Sequence, residues 1–159
     1  MNVHQEWAKF EQSYRYAPKY SKEVEQHYLK YLVHLLRLQG YTILPCGHNG
    51  HWDLTLASDG QSLRVEVKIA RPKAKSGRSE YYQFKIKSGG HRPPDGDVVI
   101  CCCCPNGPPS MTVYIIPTEA LEDRSTLEIT SNPADYIGQW SIYHNAWDIL
   151  HERLGGKNA

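Results

Sequence analysis

The dipeptide Asp59-Gly60 constrains this chain more than any other feature, because two alternating runs, Trp52 to Ala57 and Leu63 to Ile69, flank it. An Asp-Gly pair between such runs signals a β-hairpin closed by a tight two-residue turn. That turn fixes the register: Ser58 faces Gln61, Leu56 faces Leu63, Leu54 faces Val65, and Trp52 faces Val67. The apolar pairs then share one face, as a half-buried sheet requires, and a slip of one residue would turn all of them out.

The same register sets Asp53 opposite Glu66 on the other face, with Lys68 two positions further on and pointing the same way. Directly opposed like charges destabilise a sheet unless something neutralises them. A divalent cation would do so, since hard ions such as Mg²⁺ take carboxylate oxygens and retain waters. Lys68, ~7 Å from Glu66 along the strand, would then meet a phosphate or the attacking water.

Asp53 followed after a hairpin by Glu66-Val67-Lys68 resembles the signature of the PD-(D/E)XK nuclease superfamily, an acidic residue opening one strand and Glu-x-Lys in the next. His51-Trp52 stands where that signature often has a proline. The resemblance spans roughly residues 20 to 117, with a looser likeness of the tail to the intron-encoded homing endonucleases of the superfamily. It implies an α/β, restriction-endonuclease-like fold: a single domain with a mixed sheet flanked by helices. It also implies Mg²⁺, with Mn²⁺ able to substitute, held by Asp53, Glu66 and the Val67 carbonyl, with Lys68 positioning or stabilising the nucleophile. The products would carry a 5′-phosphate and a 3′-hydroxyl. The helix before the hairpin often donates a Glu in this superfamily; Glu25 is the candidate here, with Glu23 behind it. A favourable charge in the first turn of a helix explains Glu25 equally well. Several members carry a Gln on the strand after the hairpin, a place taken here by Gln83 if its strand joins the same sheet. The alternative is a surface glutamine on a charged face.

Net charge is only +1, but its distribution is uneven. From Arg64 to Arg92 nine Lys or Arg stand against two acids, a local +7, while the rest of the chain sums to −6. A basic stretch directly after the hairpin is a phosphate-binding footprint for double-stranded DNA. The residues expected at DNA are Arg71, Lys73, Lys75 and Arg78 in a flexible basic loop, Lys85 and Lys87 on the next strand, and His91 and Arg92 in a Gly/Pro-rich loop. The alternative is a solvated, lysine-rich loop.

Cys101 to Cys104 have neither zinc-finger nor disulfide-framework spacing. They continue Val98-Val99-Ile100, which reads as a central strand covered on both faces, with the cysteines acting as small apolar residues. His48 and His51 sit in a glycine-rich loop, without the helical spacing that aims both rings at one metal.

The length of 159 residues suits one domain with a real core. Residues 1–20 read as an N-terminal arm whose aromatics, Trp7 and Phe10 among them, pack on the domain, exchange with a second subunit or stack on bases. Residues 21–154 read as the nuclease domain. It opens with a helix from Ser21 to Gly40 that carries Tyr28, Tyr31, Leu32, Leu35 and Leu38 at helical spacing. Strands follow at Tyr41 to Leu44, in the hairpin, and at Tyr81 to Lys87, Val98 to Cys104, Met111 to Ile116 and Leu127 to Thr130. C-terminal helices are expected from about residue 132, one opening at Asn132-Pro133 and one running from Asn145 to Leu150, and residues 155–159 as a disordered tail. No apolar run approaches the ~20 residues that cross a bilayer, so the expected location is the cytoplasm.

These readings converge on a metal-dependent DNA endonuclease of homing or restriction type, acting as a homodimer or higher oligomer because one such site cuts one strand. Three alternatives stay open: a structure-specific nuclease such as a Holliday junction resolvase, a non-catalytic DNA-binding module on the same fold, and an RNA-processing nuclease.

Overall fold

The computed structural model describes residues 3–14, 21–45, 52–86, 96–105, 111–121, 124–130 and 136–155. Its centre is the expected hairpin, β2 (Trp52–Ser58) and β3 (Gln61–Ala70). Asp59 and Gly60 both take positive φ, +50° and +79°. This is the mirror-image turn whose twist matches that of the strands it joins, and Asp and Gly tolerate it best. The ladder runs from Ser58 opposite Gln61 to Trp52 opposite Val67, with Asp53 opposite Glu66. Every pair anticipated from the Asp-Gly turn is present.

Three more strands complete a five-stranded mixed sheet in the order β1-β2-β3-β6-β7, with β1 at Thr42–Pro45, β6 at Val98–Cys103 and β7 at Thr112–Pro117. Strand β6 lies parallel to β3, and the other neighbours are antiparallel. At the start of β6 the Asp97 carboxylate accepts from the Arg64 amide at 3.1 Å, and the Asp97 amide donates to the Arg64 carbonyl at 2.9 Å. Gly96, with φ +147°, lies so near that a Cβ would stand 3.2 Å from the Arg64 carbonyl oxygen. This clasp sets the parallel register that puts Val99 beside Glu66 and Cys101 beside Lys68.

Each face of the sheet carries its own core. On one face Leu54, Leu56, Val65, Val67, Val98, Ile100 and Cys102 pack against Tyr31, Leu32, Leu35 and Leu36 of α2 (Ser21–Leu38) and Leu150 of α4 (Asp148–Arg153). Trp7 and Phe10 of α1 (Val3–Tyr14) join this layer: the Trp7 indole stacks on Tyr28 at 4.9 Å and meets Tyr31 edge-on at 4.7 Å. Of the fates open to these two aromatics, packing on their own domain is the one observed.

The other face departs from expectation. Ala70, Val99, Cys101, Cys103, Tyr114 and Ile116 are covered by Tyr82, Phe84, Ile86, Leu127, Ile129, Leu121 and Trp140. The cover is a second sheet in the order β4-β5-β8, with β4 at Lys73–Lys75, β5 at Arg78–Lys85 and β8 at Thr126–Thr130, helped by α3 (Thr118–Leu121). The basic segment from Arg71 to Arg78, expected as a flexible loop, is therefore largely a hairpin turning at Ser76-Gly77. Lysine weakens the strand signal but is well suited to an exposed edge strand.

Strand β6 is buried throughout, and its side chains alternate between the two cores, which is why the run is apolar without a period of two. The tail is less helical than expected. Asn132 and Pro133 lie outside the described residues, Tyr136 to Trp140 form no helix, and a 3-10 turn at Ser141–Tyr143 precedes α4, which starts at Asp148 rather than Asn145. The expected disorder of the tail falls, beyond Gly155, outside the described residues. No described helix is long and apolar enough to cross a membrane.

Candidate active site

The hairpin ladder and the parallel β3–β6 pairing build the site from two directions. Strand alternation puts Glu66 and Lys68 on the face shared with Val99 and Cys101, the one beneath the small sheet, while Val65 and Val67 enter the helical core. Glu66 is buried, at 7% exposure. Its Oε1 lies 3.2 Å from Lys68 Nζ, with the two side chains 9% and 14% exposed. Its Oε2 is buried and has no hydrogen-bond partner among the described residues. A carboxylate oxygen desolvated and unsatisfied costs ~1–3 kcal/mol or more, so its placement here is a cost to the fold.

Position 53 stands directly across the ladder from Glu66, and directly opposed positions share a face ~4.5–5.5 Å apart at Cβ. The Asp53 side chain itself lies outside the described ones. Among the described residues no three His, Cys, Asp or Glu side chains gather in a way that would hold a metal. Glu66 offers a hard carboxylate oxygen, the type of donor that Mg²⁺ or Mn²⁺ takes.

Glu25 is half-buried near the start of α2, the helix that packs on the face of the sheet carrying Val65 and Val67. Glu23 is half-buried on the same helix. The condition on which Gln83 would approach Glu66 is not met: β5 belongs to the second sheet, and Tyr82 and Phe84 take its inward face. Gln83 points outward, where its Oε1 accepts from Lys73 Nζ at 2.9 Å and its Nε2 donates to Glu128 Oε1 at 3.2 Å.

Among the residues expected at DNA, Lys73, Lys75 and Lys85 are exposed on β4 and β5. Arg71 is half-buried, its guanidinium 6.0 Å from the centre of the Tyr28 ring. Arg78 occupies β5, with its side chain outside the described ones; Lys87, His91, Arg92, His48 and His51 lie outside the described residues.

One neighbour of Glu66 and Lys68 escaped the sequence reading: Cys101 joins them only through the parallel pairing with Lys68. No local signal reports that pairing. Burial pushes the Cys101 thiol up to about 12, with Lys68 pulling it down and Glu66 pushing it up, and burial holds Cys102, Cys103 and Cys104 high as well. Thiolate is the reactive form, so an aromatic disulfide reagent at pH 8 should label none of these four cysteines in the native protein and all of them in 6 M guanidinium. Peptide mapping after a timed pulse measures it, and rapid native labelling of any of the four would contradict the double-sided burial of β6.

No family model matches the chain, and no curated protein matches it in sequence. Among solved structures, a bacterial homing endonuclease, I-Ssp6803I, superposes with a TM-score of 0.62 over 88% of this chain and 97% of its own, at 16% sequence identity. The likeness is one of fold.

Proposed function

We propose that this chain is a metal-dependent DNA endonuclease of the PD-(D/E)XK type, in which Asp53 and Glu66 hold Mg²⁺, or Mn²⁺ in its place, and Lys68 works beside them. The observation that carries the reading is the Glu66 carboxylate: buried, fixed by Lys68 through one oxygen, unsatisfied at the other, and opposed across the ladder by position 53. A structural ion pair has no use for a second carboxylate at that place. The Val67 carbonyl would supply a further oxygen, as in the superfamily the motif resembles.

A divalent cation bound there would supply Lewis acidity toward a phosphoryl oxygen and lower the pKa of a water. The chain's own residues do the rest. Lys68 sets the plane of the Glu66 carboxylate and stabilises negative charge that develops on the phosphate. Lys75 and Lys85, exposed on β4 and β5, hold the DNA backbone, which fixes the scissile bond over the carboxylates.

The structural neighbour is described as a bacterial homing endonuclease, which supports a site-specific enzyme of homing or restriction type. Because one such site cuts one strand, double-strand cleavage calls for two copies of the chain. The deciding experiment incubates the full chain with supercoiled and linear DNA from several sources in Mg²⁺, Mn²⁺ or EDTA. Metal-dependent nicking or linearisation is the expected result. Absence of cutting on every DNA form in both metals would overturn the reading.

A further inference from the structure

The hairpin formed by β4 and β5 stands out from the body of the protein. Lys73 to Gly77, Ser79 and Glu80 are all exposed, and β4 is the outer strand of its sheet. A strand with neither face covered contributes nothing to a core, and this one carries Lys73 and Lys75, with Arg78 opposite Lys75 across a two-residue turn. A two-stranded ribbon fits the major groove of B-form DNA, ~12 Å wide and ~8.5 Å deep.

The cations of this ribbon are not equivalent. Lys73 is tied by Nζ to Gln83 Oε1 at 2.9 Å, and Gln83 is tied in turn to Glu128 at 3.2 Å, a chain that crosses all three strands of the small sheet. A lysine ordinarily loses rotamer entropy when it binds, so a lysine already oriented gives up less and tolerates fewer geometries. Phosphate contacts position a protein on the duplex, whereas fixed donors at base edges specify sequence. We infer that the β4–β5 hairpin enters the major groove of duplex DNA and that Lys73, held by the Gln83–Glu128 chain, reads base edges there, while Lys75 contacts phosphate. Gln83 is thereby a positioning residue for sequence recognition.

The inference rests on the endonuclease reading only for the position of the cut. Lys75 lies nine positions after Glu66, a span of at most ~30 Å. At ~3.4 Å per base pair, the bases read lie within about nine steps of the severed phosphate.

The test uses the full chain carrying Glu66→Gln, without added metal, to select binders from a pool of duplexes with randomised bases. The same selection is run with Lys73→Met, Lys73→Arg, Gln83→Ala or Lys75→Met added, and urea midpoints report folding. Lys73→Met and Gln83→Ala are expected to flatten one shared block of two or three base pairs, lowering discrimination there about ten- to a hundredfold. Gln83→Ala should leave total affinity within about threefold, since it removes no phosphate contact. Lys73→Arg, which keeps the charge, should keep affinity and alter the preferred base in that block. Lys75→Met should weaken all sequences alike and reduce the salt slope by ~1. An unchanged motif in the Lys73 and Gln83 variants would overturn the inference, as would a parent that binds without base preference or not at all. Duplex RNA competing as well as DNA would overturn it too, because the A-form major groove does not admit side chains. A ribbon-dependent motif from a protein whose wild type cuts nothing would leave this inference standing and remove the catalytic one. Cutting with a ribbon-independent motif would do the reverse.

Discussion

Glu66→Gln should lower DNA cleavage by about three orders of magnitude, a loss of ~4 kcal/mol of transition-state stabilisation, and leave duplex affinity within about threefold. Glutamine has the shape of glutamate and keeps an oxygen to accept from Lys68, so the Oε1 contact at 3.2 Å survives. What changes is the second oxygen, buried and without a partner among the described residues, which becomes an amide that presents hydrogens where a cation would sit. Affinity should persist because DNA affinity comes mainly from Lys and Arg at phosphates, and the exposed lysines proposed for that role, Lys75 and Lys85, lie on β4 and β5 rather than on β3 with Glu66. Nicking of supercoiled DNA measures the first quantity and fluorescence anisotropy the second. Calorimetric titration with Mn²⁺ adds a readout independent of turnover, with affinity expected to fall about tenfold or more. Cutting retained at the wild-type rate would remove Glu66 from the metal site.

How far the sequence discloses this arrangement depends on the distance over which each constraint acts. The Asp59-Gly60 turn is local, and a two-residue hairpin has a single register, so the opposition of Asp53 and Glu66 was legible at the sixth pair from the turn. The burial of β6 was legible because a strand covered on both faces shows a continuous apolar run. Helix α2 announced itself by its periodicity and by Gly40.

What was not legible depends on pairings between distant segments. Gln83 alternates as a sheet residue should, yet alternation does not say which sheet. Its partner strand, Thr126–Thr130, lies more than forty residues away, and that pairing turns Gln83 to solvent and Tyr82 inward. The β4 strand was hidden for another reason: three residues exposed on both faces carry no hydrophobic period. The helix expected at Asn132-Pro133 rested on a start signal alone, and Tyr136 to Trp140 instead form a turn in which the Tyr136 hydroxyl accepts from the Trp140 amide at 3.4 Å. The opposition of positions 53 and 66 thus follows from one turn, while the placing of Cys101 beside Lys68 and of β5 beside β8 follows from tertiary pairings that leave no mark on neighbouring residues.

Lys68→Met should destabilise the fold by ~3 kcal/mol, near the low end of the ~3–5 kcal/mol seen when one partner of a buried ion pair is removed. The low end applies because Lys68 and Glu66 side chains remain 14% and 9% exposed, so water still relieves part of an unpaired charge. The double replacement Glu66→Met/Lys68→Met should reverse the sign and exceed the wild type by ~1–4 kcal/mol, since a well-packed apolar pair removes both desolvation penalties at once. Val99 and Cys101, the neighbours of Glu66 and Lys68 on that face, are already fully buried, and two thioethers of similar length extend that packing while abolishing the unsatisfied Oε2. Urea unfolding of the three proteins measures the series, with equal m-values confirming that the midpoints report stability. A neutral Lys68→Met, or a double variant less stable than the single, would mean that the pair does not bear the cost assigned to it. If the double variant is more stable and also inert toward DNA, the ion pair opposes folding and serves chemistry. This face of β3 then keeps a carboxylate that the fold would be better without, which is how a site selected for catalysis differs physically from one selected for structure.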